Sequence, residues 1–439
     1  MPFTLLLLLV IVTHASAASP APYRIMEADA FFRLTARQIN DELLRLASAY
    51  PDLIRHEVIG HAASGNDILC LRLSLPLPAI APATTAAAAA LPAIAPATTG
   101  PGTGIEPFDF ESAWSRRSRP AILVEAGTHA RETANPYITY RMLASYAADA
   151  RDEETLPMLP MNRLLTNCSI DFVILSNPDG YDLARHGKSA FTLPAIVSFL
   201  DGIRSSRYPY FKASATGVDL NRNYPAVHYD VASKRWVDLW GRRQNGGAPL
   251  AALTSRTPAP MYYAGPKPLS EPETRAMAEL VVRNDYRVVL SYHSMGNVIY
   301  YDRPYLSPAY NAMARRYGER AQAVSGYRLL PTSARDNHSG YFGDYVANET
   351  GKPCLTVETT TTGFPTTAKA SMDAFRLTFS LPYRMAELAL QDGHARYRLF
   401  NASGAYVRDF ADKAYAQAVA QRDGLLLWDA RAVKPHPPG

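Results

Sequence analysis

The chain has 439 residues, of which 47% are hydrophobic and 19% are charged, so it is long enough for one large domain or two ordinary ones. Its net charge of +5 comes from 45 Lys and Arg residues against 40 Asp and Glu residues spread along the chain. No basic run is interleaved with aromatic residues, which excludes nucleic acid as an expected partner. The composition is typical of a globular protein large enough to be an enzyme.

The first residues indicate a secretory signal peptide. An apolar run from Leu5 to Val12 is followed by Ala15-Ser16-Ala17, a pattern of small residues typical of a signal-peptidase site. The run is far shorter than the ~20 residues that a membrane-spanning helix needs. We therefore expect residues 1–17 to be removed and the mature protein to be secreted, extracellular or periplasmic, with no membrane span.

Hydrophobic periodicity predicts a helix and then three strands. The helix covers residues 33–50 and ends before Pro51, and the strands cover residues 53–60, 68–74 and 121–127. The third strand, AILVEAG, is almost wholly apolar, which is typical of a central strand covered on both faces.

Between the second and third strands lies a low-complexity insert, residues 76–105. The segment LPAIAPATT occurs in it twice, starting at Leu77 and at Leu91. Since it is rich in Ala, Pro and Thr and poor in charge, it is predicted to be a mobile surface loop, with a glycosylated mucin-like stalk as the alternative.

Further along the chain, predicted helices and strands alternate. This pattern predicts an α/β fold: a single domain with a mixed, mostly parallel central sheet of about eight strands, covered by helices on both faces. The catalytic domain is predicted over residues 20–395 and a C-terminal extension over residues 396–439. Ligands of such sheets bind at the carboxyl ends of the strands. The predicted helices are 135–150, 271–283, 309–324 and 372–390, and the predicted strands are 170–175, 288–292 and 355–358.

Two histidines and a glutamate follow predicted strands. His129 and Glu132 lie three residues apart directly after the strand 121–127, and His293 follows the strand 288–292. A His and a Glu at this spacing are common on solvated helix faces, so neither motif alone predicts a site. Together, two His and one Glu are the open ligand set of a catalytic Zn²⁺, with a fourth position left for water.

Three further polar positions fit a site built around that metal. Asp219 is a candidate to orient a ligating His through its second ring nitrogen. Arg222, in GVDLNRNYP, offers a planar fork suited to a carboxylate. Glu358 ends a strand and is a natural general base if it lies beside the activated water, the alternative being a surface glutamate.

The segment 177–180 (NPDG) is predicted to be a tight turn that shapes the site.

Three cysteines, Cys70, Cys168 and Cys354, lie in or beside apolar strand-like segments. An odd number cannot all pair in disulfides within the chain, and no Cys-x-x-Cys motif is present. We expect buried thiols rather than a catalytic or metal-binding cysteine.

The ordered motifs GTHARET, NPDGY, GVDLNRNYP, SYHS and LTVET resemble those of the carboxypeptidase A-like zinc carboxypeptidases. The resemblance covers most of the chain, from SAYPDLIRHEVIG to the last predicted helix. It implies one Zn²⁺ per chain. The implied site residues are His129, Glu132 and His293 as zinc ligands, Glu358 as the general base, Arg131 near the scissile carbonyl, and Asn221 with Arg222 as the pair that binds the substrate carboxylate.

The family also uses an arginine to stabilise the oxyanion, seventeen residues before the carboxylate-binding Asn. That position is Arg204 in this chain, and Arg207 and Arg185 are alternatives because the segment 185–211 departs from the family pattern. The resemblance therefore implies Arg204 as the second catalytic residue.

Two positions of the substrate pocket differ from the family pattern. The position of the tyrosine that closes over substrate in the animal enzymes is occupied by Asp336, and Tyr341 is the candidate to replace it. The position at the floor of the side-chain pocket is Gly343, which supplies neither a charge nor a hydrophobic plug. The preferred side chain therefore stays open.

The resemblance implies a secreted zinc metallocarboxypeptidase that hydrolyses a C-terminal peptide bond. Within the family, SYHSMGNVIYYD, FKASATGVDLNRNYPA and YAGPKPLSEPETRAM are most similar to bacterial γ-D-glutamyl-diaminopimelate peptidases, which makes peptidoglycan peptides the alternative substrate. A catalytically silent binding protein is the alternative of another class. The expected partner is a peptide or muropeptide substrate, and the sequence sets no expectation for oligomeric state.

Overall fold

The computed structural model describes most of the predicted catalytic domain. The predicted signal peptide (1–17), the insert (76–105) and Asp336 lie outside the described residues. Beyond residue 392 mainly the backbone of short strands is described. The described ranges are 23–75, 120–151, 159–225, 255–303, 306–331 and 340–392, together with short strands and single positions outside them.

The strands form one large sheet and two small ones. In chain order they are β1 Ile54–His61, β2 Asp67–Leu73, β3 Ala121–Ala126, β4 Ser169–Val173, β5 Val227–Asp230, β6 Arg235–Asp238, β7 Tyr286–Ser294, β8 Val298–Tyr300, β9 Arg328–Leu330, β10 Cys354–Thr359, β11 Tyr397–Phe400, β12 Tyr406–Phe410 and β13 Leu426–Asp429. The large sheet has eight strands in the order β1-β2-β4-β3-β7-β10-β8-β9. Its four central strands are parallel, whereas β2 runs antiparallel to β4 and β8 antiparallel to β10. The predicted mixed, mostly parallel α/β fold is confirmed.

Helices precede the first strand and follow several of the others. They are α1 Ala28–Phe31, α2 Ala36–Ala49, α3 Ala134–Ala150, α4 Met161–Leu165, α5 Pro178–His186, α6 Pro194–Asp201, α7 Pro272–Arg283, α8 Pro308–Ser325, α9 Phe342–Thr350, α10 Ala368–Thr378 and α11 Leu381–Gln391. Short 3₁₀ turns cover Lys188–Ala190, Ser205–Tyr210 and Leu220–Arg222. In the described part of the chain, none of the helices combines the length and apolar character needed to cross a bilayer.

Both faces of the large sheet are covered, and β3 shows why its sequence is almost wholly apolar. Ile122 and Val124 belong to the hydrophobic cluster that also contains residues of α2, α3, α10 and α11. Ala121 and Leu123 point to the other face, where they belong to the cluster with residues of α7 and α9. Since successive side chains of a strand point to opposite faces, a strand buried on both must be apolar throughout.

Two local predictions are wrong. The predicted helix 372–390 is two helices, α10 and α11, because Pro382 has no backbone N–H to continue the first and is tolerated in the first turn of the second. The predicted turn at NPDG is the start of α5. The side chain of Asn177 accepts a 2.8 Å hydrogen bond from the Gly180 N–H, which caps the helix.

The three cysteines are buried, as predicted. Cys70 lies in β2, Cys168 directly before β4 and Cys354 in β10. None of them forms a disulfide bond.

Candidate active site

The strands β3, β7 and β10 bring three chemically active segments to one edge of the sheet. The turn after β3 carries His129 and Glu132, while His293 and Glu358 lie near the carboxyl ends of β7 and β10. In the parallel pairing of β7 with β10, Glu358 is directly opposite His293. Parallel neighbours therefore place these side chains together, although the chain positions are up to 229 residues apart.

His129, Glu132 and His293 are buried and converge on one point. The Nδ1 atom of His129 lies 2.8 Å from Oε1 of Glu132, and Nδ1 of His293 lies 3.1 Å from Oε2 of the same carboxylate. The two Nδ1 atoms are 3.1 Å apart. All three residues thus present one ligand atom each to a common centre.

This geometry fits a Zn²⁺ ion. A tetrahedron around zinc with bonds of about 2.0–2.1 Å has edges of about 3.3 Å. The two Nδ1 atoms, 3.1 Å apart, are close to that spacing, and each lies within 3.1 Å of one oxygen of the Glu132 carboxylate. Burial would raise the pKa of Glu132, but the two histidines hold it well below its usual range. The carboxylate therefore stays ionised, as a metal ligand must be. A 3.0 Å hydrogen bond from the Ser294 N–H to Oε2 of Glu132 fixes its orientation.

Asp219 faces the other ring nitrogen of His129. Its Oδ1 lies 3.5 Å from Nε2 of His129, and its Oδ2 accepts a 3.2 Å hydrogen bond from the Tyr262 N–H. Asp219 is fully buried, which would raise its pKa, but Lys212 and Arg222 lower it below the usual value instead. An ionised carboxylate in this position keeps Nε2 protonated, so that Nδ1 is the nitrogen available to the metal.

Glu358 lies next to this centre and faces a cavity of about 470 Å³. The residue is half-buried, and desolvation raises its pKa to about 7, with His293 opposing the shift and Glu132 adding to it. A carboxylate with a pKa near neutrality is suited to take up a proton and release it. The described residues that line the cavity are His129, Lys212, Asn221, Arg222, Ser291, His293, Tyr300, Arg303, Tyr341, Gly343, Asp344, Thr356 and Glu358.

Asn221 and Arg222 lie in the 3₁₀ turn that follows Asp219. The Arg222 guanidinium lies 4.4 Å from the centre of the Tyr341 ring, and Asn221 Oδ1 accepts a 2.8 Å hydrogen bond from the Phe342 N–H. Gly340 has φ of +87° and passes so close to Arg222 that a Cβ there would overlap the Arg222 carbonyl. Only glycine allows this approach, which brings the segment 340–343 beside the turn.

Arg131 does not line the cavity, although it lies in the motif between two candidate metal ligands. Its guanidinium lies 4.7 Å from the centre of the Phe364 ring, and its backbone N–H donates a 2.7 Å hydrogen bond to the Phe211 carbonyl. Its charge still acts on the site, since it is one of the cations that lower the pKa of Glu358.

Arg204 is exposed at the start of a 3₁₀ turn and is not among the described residues that line the cavity. Its two alternatives are also not among the described residues that line the cavity. Arg207 is exposed, and Arg185 donates hydrogen bonds of 3.1 and 2.8 Å to the Phe32 carbonyl. The segment 185–211 forms α6 and two 3₁₀ turns, so counting back from Asn221 does not lead to the site.

Lys212 is a cavity residue that sequence reasoning missed. Its Nζ lies 3.9 Å from Oδ2 of Asp219 and 5.2 Å from the centre of the Tyr262 ring. Burial lowers its pKa, and Asp219 opposes that effect. In the sequence, this lysine is recognisable by its place between two hydrophobic residues, Phe211 and Ala213. Both neighbours are buried in the structure.

Glu125 is a second residue that sequence reasoning missed. It is fully buried in β3 and accepts hydrogen bonds from three hydroxyl groups: Thr128 at 2.5 Å, Ser176 at 2.6 Å and Ser291 at 2.6 Å. These bonds tie the turn that carries His129 to β7, which carries His293. The network therefore holds the two candidate histidines in place.

Two His and one Glu converge beside a cavity that the half-buried Glu358 also lines, an arrangement typical of metal-dependent hydrolases. The chain belongs to the zinc carboxypeptidase family, peptidase family M14, whose model matches residues 39–379.

Comparison with known proteins gives relatives of two kinds. The chain is similar to the gamma-D-glutamyl-L-diamino acid endopeptidase 1 of Lysinibacillus sphaericus, with 29% identity over 237 residues, 54% of each chain. It is also similar to carboxypeptidase B of Rattus norvegicus, with 26% identity over 44% of this chain and 37% of the relative. The matches thus span about half or less of these relatives.

Two solved structures share the fold. Thrombin activatable fibrinolysis inhibitor has a TM-score of 0.56 and 15% identity, with 83% of this chain and 77% of that chain covered. Carboxypeptidase A from Helicoverpa armigera has a TM-score of 0.52 and 17% identity, with 81% and 73% covered. At these identities the likeness concerns the fold.

Proposed function

We propose that this chain is a zinc metallopeptidase that hydrolyses the amide bond before a carboxyl-terminal residue, with His129, Glu132 and His293 holding the metal. The supporting observation is that one cavity is lined by these histidines, by Glu358 and by the Asn221–Arg222 turn. Zinc, when bound, polarises the scissile carbonyl and acidifies a water molecule.

Glu358 is the general base of this proposal. It takes a proton from the attacking water as the water oxygen bonds to the carbonyl carbon. When the C–N bond breaks, Glu358 gives that proton to the leaving nitrogen, so the base is regenerated. A pKa raised to about 7 by burial suits both transfers.

Lys212 takes the role expected of Arg204, stabilisation of the oxyanion. Its ammonium group lines the cavity together with His129 and Glu358, whereas Arg204 is exposed outside it. A cation in a site that excludes most water stabilises developing negative charge strongly. Arg131, which does not line the cavity, adds positive potential at Glu358.

Asn221 and Arg222 bind the terminal carboxylate. The guanidinium of Arg222 lies against the Tyr341 ring, which leaves its planar fork oriented by the protein before substrate binds. Tyr341 also lines the cavity and covers the bound residue. This anchor selects a chain end over an internal peptide bond.

A second candidate function is hydrolysis of a γ-D-glutamyl bond to a diamino acid in peptidoglycan peptides. It is favoured by the similarity to a relative named as a gamma-D-glutamyl-L-diamino acid endopeptidase. The same residues perform the same chemistry in this case, and only the acyl group and the leaving residue differ.

The test is to offer the purified chain both N-acyl dipeptides and muropeptides and to identify the products by mass. We expect release of one carboxyl-terminal residue, about one zinc per chain by elemental analysis, and loss of both zinc and activity after chelation. Cleavage only at internal bonds would contradict the role of the carboxylate anchor, and a chain without zinc would contradict the metal site.

We also propose that the chain is exported. This proposal is supported by the signal-peptide pattern of residues 1–17. N-terminal sequencing of the exported protein should begin at Ala18. Full-length chain retained in the cytoplasm would contradict this prediction.

A further inference from the structure

An ion pair lines the cavity at the position where the sequence predicted an uncharged floor. The Nε atom of Arg303 lies 2.6 Å from Oδ1 of Asp344, and the two side chains are only 4% and 14% exposed. Both residues line the same cavity as Gly343 and Glu358. The pocket therefore contains a positive and a negative group side by side.

The backbone of Arg303 is fixed just after β8. Its N–H donates a 2.8 Å hydrogen bond to Oδ1 of Asn311, and its carbonyl accepts a 2.9 Å hydrogen bond from Nδ2 of the same residue. Its Nη1 donates a 2.6 Å hydrogen bond to the Asp302 carbonyl. Arg303 is thus held in one orientation before any ligand binds.

Gly343 leaves the space that the Arg303 guanidinium occupies. A Cβ on residue 343 would overlap Nη2 of Arg303, so a larger residue would push the arginine away. The floor of the pocket is therefore Arg303 rather than the glycine itself. The next residue, Asp344, lies in the first turn of α9 and supplies the opposite charge.

The ion pair is adjacent to the carboxylate anchor. The Phe342 N–H donates a hydrogen bond to Asn221, so the backbone that carries Gly343 and Asp344 also contacts the Asn221–Arg222 turn. Since Asn221, Arg222, Arg303 and Asp344 line one cavity, a residue whose α-carboxylate binds at that turn shares the cavity with the ion pair.

Charge balance limits which side chains fit there. A side chain with one charge would find an attractive partner and a repulsive one in a pocket that excludes most water. A side chain that ends in both a carboxylate and an ammonium group meets both members of the pair with opposite charges. Arg303 offers its fork to the carboxylate and Asp344 accepts hydrogen bonds from the ammonium group.

We propose that Arg303 and Asp344 are the specificity-determining residues of this pocket and select a leaving residue whose side chain ends in an amino acid group, as in a 2,6-diaminodicarboxylic acid. The inference rests on the proposed function, since it assumes that the leaving residue occupies this cavity.

The test uses four substrates with one common acyl group and different terminal residues: meso-diaminopimelate, 2-aminopimelate, lysine and leucine. We expect kcat/KM for diaminopimelate to exceed that for each of the others by about tenfold or more. Arg303→Met should reduce cleavage of the diaminopimelate and aminopimelate substrates, and Asp344→Asn that of the diaminopimelate and lysine substrates. Equal cleavage of all four substrates by the wild type would overturn the proposal.

A double variant keeps the test valid if a single substitution unfolds the chain. Arg303→Met with Asp344→Leu leaves no unpaired buried charge, and it should shift the preference to the leucine substrate. Unchanged preference in a folded double variant would also overturn the proposal.

Binding measurements separate this proposal from the proposed function. The Glu358→Gln variant, loaded with zinc, is titrated calorimetrically with free diaminopimelate, aminopimelate, lysine and leucine. Tightest binding of diaminopimelate, lost on adding Arg303→Met, supports the pocket even if no substrate is hydrolysed. Equal binding of all four amino acids overturns the pocket while leaving the hydrolytic function intact.

Discussion

The Nε2 atom of His129 lies 3.5 Å from Oδ1 of Asp219, while Nδ1 of the same ring faces Glu132 and His293. The two nitrogens of this imidazole therefore have separate partners, one carboxylate that fixes the proton and one centre that fits the metal. With a metal at Nδ1, the ring proton of His129 would lie on Nε2, facing Asp219.

Asp219→Asn should weaken zinc binding about 10–100-fold, because the amide no longer holds the proton on Nε2 by charge. Competition with a chromophoric chelator measures the affinity. Asp149→Asn is the matched control, since Asp149 is also buried, is outside the cavity and accepts a hydrogen bond from Leu159 N–H. Equal affinities of Asp219→Asn and the wild type would contradict the role of Asp219.

Glu358→Gln should keep about one zinc per chain and lower kcat by about 10²–10⁴-fold, because glutamine has the shape of glutamate but cannot accept a proton. Steady-state kinetics and elemental analysis of the same sample provide both readouts. Glu319→Gln serves as a control, as Glu319 is exposed and paired only on the surface of α8 with Arg315. Normal turnover by Glu358→Gln would refute its assignment as the base.

Lys212→Met should lower kcat by about 10²–10³-fold, the usual effect of removing one donor to an oxyanion. Arg204→Met should leave kcat unchanged, because Arg204 is exposed and does not line the cavity. Lys212→Arg should restore part of the rate by restoring the charge. The reverse outcome, with loss of activity only in Arg204→Met, would return the role to Arg204.

Glu273→Gln tests a stability effect away from the site. Burial raises the pKa of Glu273 to about 8, and Asp179 and Glu271 add to the shift. The pKa of Glu273 in the folded protein thus lies above the unfolded value of 4.5, so the protonated carboxyl group contributes to the stability of the folded state. This contribution is fully present below about pH 4.5 and is lost as pH rises to about 8.

Wild-type stability should therefore fall by up to about 1.4 kcal/mol per pH unit more steeply than that of Glu273→Gln within this window. Urea unfolding at pH 5, 6.5 and 8 measures the difference. Glu279→Gln, on the exposed side of the same helix, should show the wild-type slope. Parallel slopes for Glu273→Gln and the wild type would contradict the prediction.

Much of the fold could be predicted because it depends on local pattern. The apolar run of β3 and the helical spacing in α2 predicted both elements to within a few residues. The two wrong predictions, at NPDG and at 372–390, concern helix ends. At NPDG, a hydrogen bond to the Asn177 side chain caps the start of a helix, and at 372–390 one helix ends shortly before Pro382. Hydrophobic periodicity carries little information about where a helix begins or ends.

The sequence by itself determined that His129, Glu132, His293 and Glu358 come together. Each of them lies near the carboxyl end of a strand, and parallel strands bring those ends to one edge. The ordered motifs that contain these residues also determined the family.

Only the tertiary structure decided which positively charged residues line the cavity and which residues lie at the position of Gly343. Lys212 rather than Arg204 lines the cavity because α6 and the 3₁₀ turns around it carry Arg204 to the surface. Arg303, which follows β8, meets Asp344 in the first turn of α9 and packs against Gly343, although these residues come from distant parts of the chain. Contacts of this kind depend on the packing of whole elements, and residue spacing along the chain does not determine them.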